Sequence, residues 1–229
     1  MAMPEIRQHL TSINRTAGRG GKRVEHIIVH YTFGEVTAAG AALANCKYFA
    51  REKVGASAHY FIDDGPVIWQ SVLDRDTAWS VGSRTGVYRH PGARNANTLS
   101  IEVCTKGAFT PAEIANLEWL VKRKMAEHGV PARNVIRHYD VTGKLCPAYY
   151  VDDARWKALH ARITAAAPAP EKEKRMDHSI TILVRPDKEK ALLADLTPVL
   201  VKHGVYADII RYGKGPYRAA INPPKLRTS

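Results

Sequence analysis

The chain is poor in cysteine and in acidic residues, and it has no long apolar run. Three cysteines among 229 residues are too few, and odd in number, for a disulfide framework, so we expect free thiols and folding in a reducing compartment. No uncharged segment approaches the roughly 20 residues of a transmembrane helix. The first 22 residues are polar and lack the apolar core of a secretory signal, which predicts synthesis in the cytoplasm without membrane insertion.

The shortage of acidic residues leaves a strong positive charge. Lysine and arginine number 34 against 22 aspartates and glutamates, which gives a formal net charge of +12. The surplus is spread along the chain and favours a polyanionic partner such as nucleic acid, anionic lipid or the acidic polymers of a bacterial wall. The charge is the only feature that favours nucleic acid as the partner. No predicted helix carries a basic recognition face, and no zinc-finger spacing occurs. We therefore expect no nucleic-acid partner.

Strands alternate with helices along the first 163 residues. Apolar residues at 45% and charged residues at 24% are typical of a packed protein. The predicted strands are Val24–Tyr31, Ala58–Ile62, Val67–Gln70, Thr98–Cys104 and Asn134–His138. The predicted helices are Thr37–Lys53, a second that begins after the cap Thr110 and ends before Gly129, and Asp152–Ile163. This order predicts an α/β domain over residues 1–163, with a central mixed β-sheet flanked by helices.

A linker is predicted at residues 164–175, where small residues are followed by prolines and then by charges. Residues 176–229 are expected to form a small β-α-β-β domain, with strands Ile180–Val184, Val205–Arg211 and Tyr217–Ile221 and helix Asp187–His203. A basic aromatic cluster in this domain suits an anionic glycan, and the alternative is a solvated basic face. Its members are Tyr206, Tyr212, Tyr217, Arg211, Lys214 and Arg218.

Two histidines and a cysteine are candidate metal ligands. His30 and His138 each end a predicted strand, where a side chain is held rigidly at the rim of a pocket, and Cys146 follows His138 by eight residues. Two imidazoles and a thiolate suit zinc, and three protein ligands leave a fourth position for water, as in catalytic zinc sites. The alternative is that each histidine is an ordinary core residue.

Five ordered segments resemble the zinc-dependent type 2 N-acetylmuramoyl-L-alanine amidases of the peptidoglycan-recognition-protein superfamily, and phage endolysins in particular. The segments are VEHIIVHYT, SAHYFIDDGPVIWQ, TAWSVG, NTLSIEVC and RHYDVTGKLCP. The resemblance covers residues 24–163 and does not extend to the C-terminal part. It implies one zinc ion per chain, held by His30, His138 and Cys146.

The resemblance also implies which residues carry out amide hydrolysis. Glu102 in SIEVC matches the catalytic glutamate of one branch of the family, and Lys144 matches a lysine beside the metal. Another branch uses a tyrosine where this chain has Ala58, so the proton transfers are expected to fall to Glu102. Lys144 is expected to stabilise the oxyanion together with zinc. The alternatives are a solvated strand carboxylate and a solvated loop lysine.

Two further side chains are candidate substrate contacts. His59 is a candidate for the wall of the pocket. Trp79 in TAWSVG resembles a family position that lines the groove, where an aromatic face suits a sugar ring or a peptide stem. Either residue could instead belong to the core. Cys46 and Cys104 are expected to be buried as small apolar residues.

The function implied by the resemblance is zinc-dependent cleavage of the amide between N-acetylmuramic acid and L-alanine in bacterial peptidoglycan. A monomer that reaches the wall after release from the cytoplasm would carry it out. The alternative is a non-catalytic muropeptide-binding protein, against which the intact ligand set argues. Endolysins of this architecture often carry a wall-binding domain after the amidase, so residues 176–229 are expected to bind the wall or its anionic polymers and to raise the local enzyme concentration.

Overall fold

The computed structural model describes residues 3–34, 39–83, 85–165, 180–184 and 217–221. The chain separates into two compact units, Met1–Pro168 and Ala169–Ser229. In the second unit, strands Ile180–Val184 and Tyr217–Ile221 pair antiparallel. The other elements predicted for this unit, most of the linker and the side chains of the basic aromatic cluster lie outside the described residues. The wall-binding role of the unit stays a prediction.

The first unit is built on a six-stranded sheet. The strands of the first unit are β1 (Glu5–Gln8), β2 (Arg15–Thr16), β3 (His26–Tyr31), β4 (Tyr60–Ile62), β5 (Val67–Gln70), β6 (Thr77–Ala78), β7 (Thr98–Val103) and β8 (Val135–Arg137). Strands β2 and β6 form a separate short pair, and the other six form the sheet. Its helices are α1 (Ala41–Arg51), α2 (Pro111–His128), α3 (His138–Thr142) and α4 (Asp153–Thr164). The sheet order is β1-β5-β4-β7-β3-β8, and every neighbouring pair is parallel except the hairpin β4–β5. The predicted mixed sheet flanked by helices is confirmed.

Both faces of the central strands are buried, which explains why β3 carries three consecutive apolar residues, Ile27–Val29. One face packs against α2 and α4 in the largest apolar cluster. The other face packs partly against α1, where Phe61 shares a cluster with Cys46 and Cys104. Both cysteines are fully buried and free, as predicted. The rest of this face packs against α3 and the loop before β7.

The ends of α2 agree with the local sequence signals. Thr110 Oγ1 accepts a hydrogen bond from the backbone N–H of Glu113 at 3.1 Å, and Glu113 Oε2 accepts one from the N–H of Thr110 at 2.8 Å. Gly129 ends the helix with φ +66°, a left-handed conformation that favours glycine. Among the described residues, no helix has both the length and the apolar composition to cross a bilayer.

Several elements differ from the sequence prediction, and β1 and α3 are the two that bear on the sheet and the site. Strand β1 pairs in parallel with β5 at the edge of the sheet, but its mostly exposed side chains give no apolar alternation that would reveal it. Strand β8 ends at Arg137, and His138 begins α3 instead of ending the strand. The reason is that Asp140 accepts a hydrogen bond from the N–H of Arg137 at 2.8 Å, which caps a helix that starts one residue later.

Candidate metal centre

The parallel strands bring the predicted ligands together at one edge of the sheet. His30 lies near the carboxyl end of β3, and Glu102 is its direct neighbour on β7 in the parallel register. His138 follows β8, which pairs with β3 on the other side. Cys146 lies in the loop after α3, where its carbonyl accepts a hydrogen bond from the N–H of Tyr139 at 2.9 Å. Sites in α/β sheets commonly form at the carboxyl ends of parallel strands, as here.

The three candidate ligands converge within bonding range of a common point. One ligand atom from each of His30, His138 and Cys146 lies within 4.8 Å of the others. His30 Nδ1 is 3.7 Å from Cys146 Sγ, and the two imidazole rings are 4.7 Å apart between centroids. All three residues are buried, with at most 4% of their surface exposed. The pocket is therefore narrow and shielded from bulk water.

Several buried polar atoms of this pocket have no hydrogen-bond partner among the described residues. They are Nε2 of His30, both ring nitrogens of His138 and Oε2 of Glu102. Buried polar atoms in folded proteins are almost always paired, because an unpaired one costs about 1–3 kcal/mol. Two imidazoles and a sulfur form the donor set that zinc prefers, with a fourth position open. The residues present therefore fit a catalytic zinc ion.

The electrostatic environment keeps both imidazoles ready to bind a cation. Burial lowers the pKa of His138 to about 4, with a further contribution from Lys144. Burial, together with the neighbouring His138, lowers the pKa of His30 well below its ordinary value. Burial raises the pKa of Cys146 to about 12, and Glu102 adds to this shift. The histidines are thus neutral near pH 7, and the thiol needs a cation to become a thiolate.

Glu102 faces the ligands from the adjacent strand. Its Oε1 lies 3.8 Å from His30 Nδ1, and 20% of its side chain is exposed. Burial raises the pKa of this carboxyl to about 7, although the positive charge of Lys144 opposes the shift. A carboxyl group that titrates near neutral pH is suited to accept and return a proton.

A groove of about 870 Å³ opens beside the pocket. His138, Lys144 and Trp79 line it, together with Asn95 and Gly143 among others. The indole of Trp79 is half-buried, and its Nε1 donates a hydrogen bond to Thr16 Oγ1 at 2.9 Å. The predicted groove residue therefore lies on the groove, and its contact with substrate stays a prediction.

The expectation that His59 lines the pocket is wrong. The side chain is fully buried, and both ring nitrogens have partners: Nδ1 lies 3.0 Å from Ser100 Oγ and Nε2 lies 2.9 Å from Arg19 Nη2. Burial, with the adjacent Arg19, lowers the pKa of His59 to about 3. It is a neutral core residue that ties the N-terminal segment to the sheet.

Asn95 also lines the groove, although nothing in the sequence singles it out. Its Oδ1 accepts hydrogen bonds from the backbone N–H groups of Ser80 at 3.1 Å and Val81 at 2.8 Å, which fixes the segment after Trp79. The contact spans 14 or 15 positions inside a loop without periodicity, so no local pattern indicates it.

The comparisons with known proteins agree with this geometry. The family model described as N-acetylmuramoyl-L-alanine amidase matches residues 20–149. The amidase XlyA of Bacillus subtilis (strain 168) is 32% identical over 140 residues, which are 60% of this chain and 43% of XlyA. The amidase CwlL of Bacillus licheniformis is 29% identical over 164 residues, which are 66% of this chain and 44% of CwlL. The chain thus spans less than half the length of either relative.

Solved structures show the same fold. A mutant endolysin from Bacillus subtilis is 30% identical, with a TM-score of 0.58, and the match covers 70% of this chain and 99% of that one. The catalytic domain of XlyA is 29% identical with a TM-score of 0.57, and the match covers 69% of this chain and 99% of that domain. In both cases the whole solved chain corresponds to part of this one.

Proposed function

Because the chain belongs to the N-acetylmuramoyl-L-alanine amidase family, we propose that its first unit hydrolyses the amide between N-acetylmuramic acid and L-alanine in peptidoglycan. The observation that carries the proposal is the buried convergence of His30, His138 and Cys146, with unpartnered ring nitrogens, beside a carboxyl group. Amide hydrolysis needs an activated water, an oxyanion stabiliser and a proton for the leaving amine. The described residues offer a group for each need.

His30, His138 and Cys146 would hold one zinc ion per chain. When bound, zinc supplies Lewis acidity, which lowers the pKa of water from 15.7 to about 7 and polarises a carbonyl. The neutral imidazoles provide lone pairs without first losing a proton, because burial keeps the pKa of His138 at about 4. The narrow, buried pocket fixes all three side chains before substrate arrives.

Glu102 would act as the general base and then as the general acid. It accepts the proton of the attacking water and returns it to the nitrogen of L-alanine as the amide bond breaks. The pKa of about 7 suits both steps, because the carboxyl group can hold and release a proton near neutral pH. The exposed Lys144 lies on the groove wall beside His138, where its positive charge would stabilise the oxyanion.

The proposed substrate is the bacterial cell wall, which a monomeric enzyme would reach after release from the cytoplasm. The second unit would bind wall glycans or anionic wall polymers and hold the catalytic unit near its substrate. The net charge of +12 supports an anionic partner. Trp79, half-exposed on the groove, would contact the sugar or the peptide stem.

The test is mass spectrometry of purified peptidoglycan after digestion. The full-length protein should release stem peptides with a new L-alanine amino terminus. Metal chelation should abolish this product, and Glu102→Gln should reduce its rate of formation at least about a hundredfold. Glu118→Gln is the matched control, because Glu118 pairs with Lys122 of α2 and Arg162 of α4 and does not line the groove. Binding of muropeptides without any new amino terminus would contradict hydrolysis and favour a non-catalytic binder. Cleavage of another wall bond would contradict the proposed specificity.

A further inference from the structure

Two of the three candidate ligands lie at the two ends of one short segment. His138 begins α3, and Cys146 lies in the loop that follows this helix. The N–H of Tyr139 donates a hydrogen bond to the carbonyl of Cys146 at 2.9 Å, and the N–H of Cys146 donates one to the carbonyl of Lys144 at 2.7 Å. These backbone contacts hold the near side of the loop against the first turn of α3. The loop then continues to α4, which begins at Asp153.

Arg137 holds the far side of the same loop. It is the last residue of β8, and 5% of its surface is exposed. Its Nη1 donates hydrogen bonds to the carbonyls of Tyr150 at 2.9 Å and Val151 at 3.1 Å, and its Nη2 donates one to Asp153 Oδ1 at 3.0 Å. A single guanidinium therefore joins the end of the sheet to the end of the loop and to the start of α4.

Asp140 fixes the orientation of this guanidinium. Its carboxylate accepts hydrogen bonds from Arg137 Nε at 3.0 Å, from Nη2 at 2.7 Å and from the backbone N–H of Arg137 at 2.8 Å. The guanidinium also lies 5.2 Å from the centroid of the Tyr139 ring and 5.5 Å from that of the Trp156 ring. Because the same carboxylate caps α3 at His138, the side chain of Arg137 cannot turn away from the loop without weakening this cap.

We propose that Arg137 is a positioning residue for the metal centre, which holds Cys146 at a fixed place relative to His138 before the ion binds. The inference rests on the proposed function, because it concerns the same metal centre. Asp140 and Asp153 neutralise the guanidinium at 2.7 Å and 3.0 Å, so its influence on a cation is geometric rather than electrostatic. Ligand atoms must lie about 2.0–2.3 Å from zinc, and residues that hold the ligands in place contribute about 10–100-fold to metal affinity.

The experiment compares zinc binding by the full-length wild-type protein and by Arg137→Lys, measured in competition with a chromophoric chelator. Lysine keeps the charge, but its single ammonium cannot reproduce the planar fork that reaches two carbonyls and two carboxylates. We expect the dissociation constant for zinc to rise about 10–100-fold. In the cobalt(II)-substituted protein, the charge-transfer absorption between sulfur and metal should weaken, because Cys146 is the ligand that shifts.

Arg19→Lys is the matched control, because Arg19 is another buried arginine that binds backbone carbonyls. Its exposed fraction is 8%, and its Nη1 donates hydrogen bonds to the carbonyls of Ala96 and Thr98, each at 3.0 Å. In urea unfolding of the zinc-free protein it should cost about as much stability as Arg137→Lys, while the zinc dissociation constant should change less than about twofold. An equal loss of zinc affinity in both variants, or an unchanged affinity in Arg137→Lys, would overturn the inference and make Arg137 a residue of the fold alone.

Hydrogen exchange of the wild type keeps the inference testable if Arg137→Lys does not fold. The N–H of Tyr139 donates to the carbonyl of Cys146, and that of Tyr150 donates to the carbonyl of Pro147, both at 2.9 Å. Both groups should be protected in the zinc-free protein and should gain little protection when zinc is added. Protection that appears only with zinc would overturn the inference, because the ion and not Arg137 would then order the loop. If the wild type binds no zinc, the metal centre of the proposed function fails, and the inference fails with it.

Discussion

Two buried histidine sites, one around His59 and the other around His30 and His138, lie side by side on one face of the sheet, and they differ in how their polar atoms are paired. Ser100 and Glu102 are alternate residues of β7, so their side chains point to the same face. His59, beside Ser100, has partners for both ring nitrogens. His138, in the pocket beside Glu102, has a partner for neither among the described residues.

The difference shows that burial of a histidine does not by itself indicate a functional site. Burial lowers the pKa of His59 to about 3 and that of His138 to about 4, so the two side chains are alike in protonation near pH 7. They differ in whether the protein supplies their hydrogen bonds. A fully paired histidine contributes to the fold, whereas an unpaired one lowers stability unless a ligand completes it.

The largest expected difference between the two sites comes from replacing a histidine of each by glutamine. His138→Gln should abolish zinc binding and amidase activity while changing the free energy of unfolding of the zinc-free protein by less than about 1 kcal/mol, because no hydrogen bond is lost. His59→Gln should retain zinc and cost about 2–4 kcal/mol, because it leaves Arg19 and Ser100 without their partner. Zinc content by elemental analysis and urea unfolding measure both. Equal stability losses would contradict the distinction.

Glu102→Gln tests only the site around His30 and His138. The amide keeps the size of the carboxyl group but cannot take a proton, so activity should fall by about 10²–10⁴-fold with the zinc content unchanged. Initial rates of dye release from labelled walls measure the loss. Retention of more than a tenth of the activity would show that Glu102 is not the general base.

The site around His59 should contribute to the pH dependence of the free energy of unfolding. Unfolded His59 binds a proton below about pH 6.5, whereas the folded residue does so only near pH 3. Its contribution to stability is therefore complete above pH 6.5 and is lost as the pH falls towards 3, at up to about 1.4 kcal/mol per pH unit. Urea unfolding of zinc-free wild type and His59→Gln from pH 7 to pH 4 isolates this contribution. Parallel curves for the two proteins would contradict the assignment.

The smallest expected effect comes from adding zinc. At free zinc one hundred times the dissociation constant, the wild type should gain about 2.7 kcal/mol of unfolding free energy. His138→Gln should gain nothing under the same conditions, whereas His59→Gln should gain as much as the wild type. Thermal unfolding with and without the metal measures the three shifts. An equal gain in all three proteins would point to a zinc site elsewhere.

Local signals in the sequence predicted most of the fold. The apolar run of β3 and the cap and stop of α2 depend on neighbours within a few residues, and both are confirmed. Edge strand β1 was not predicted, because its pairing with β5 supplies the order that its own exposed side chains do not show. The start of α3 at His138 depends on the hydrogen bonds between Arg137 and Asp140, which residue types alone do not reveal.

The candidate site was predictable in its residue types and less so in their surroundings. Residue chemistry and the resemblance indicate His30, His138 and Cys146, and the pairing of β3 with β8 and the loop after α3 bring them together. His59 was misassigned because its partner Arg19 is 40 positions away, and no local pattern shows that contact.

The pocket also joins distant parts of the first unit, because His30 and Cys146 are 116 positions apart. On the ribosome, the first of these residues emerges long before the second, and the proposed metal site would be incomplete in between. A nascent or truncated chain that stops short of Cys146 would lack one of the three proposed ligands, however well its early strands have folded. The proposed active centre would therefore be assembled only after the last strand of the sheet, β8, has been synthesised.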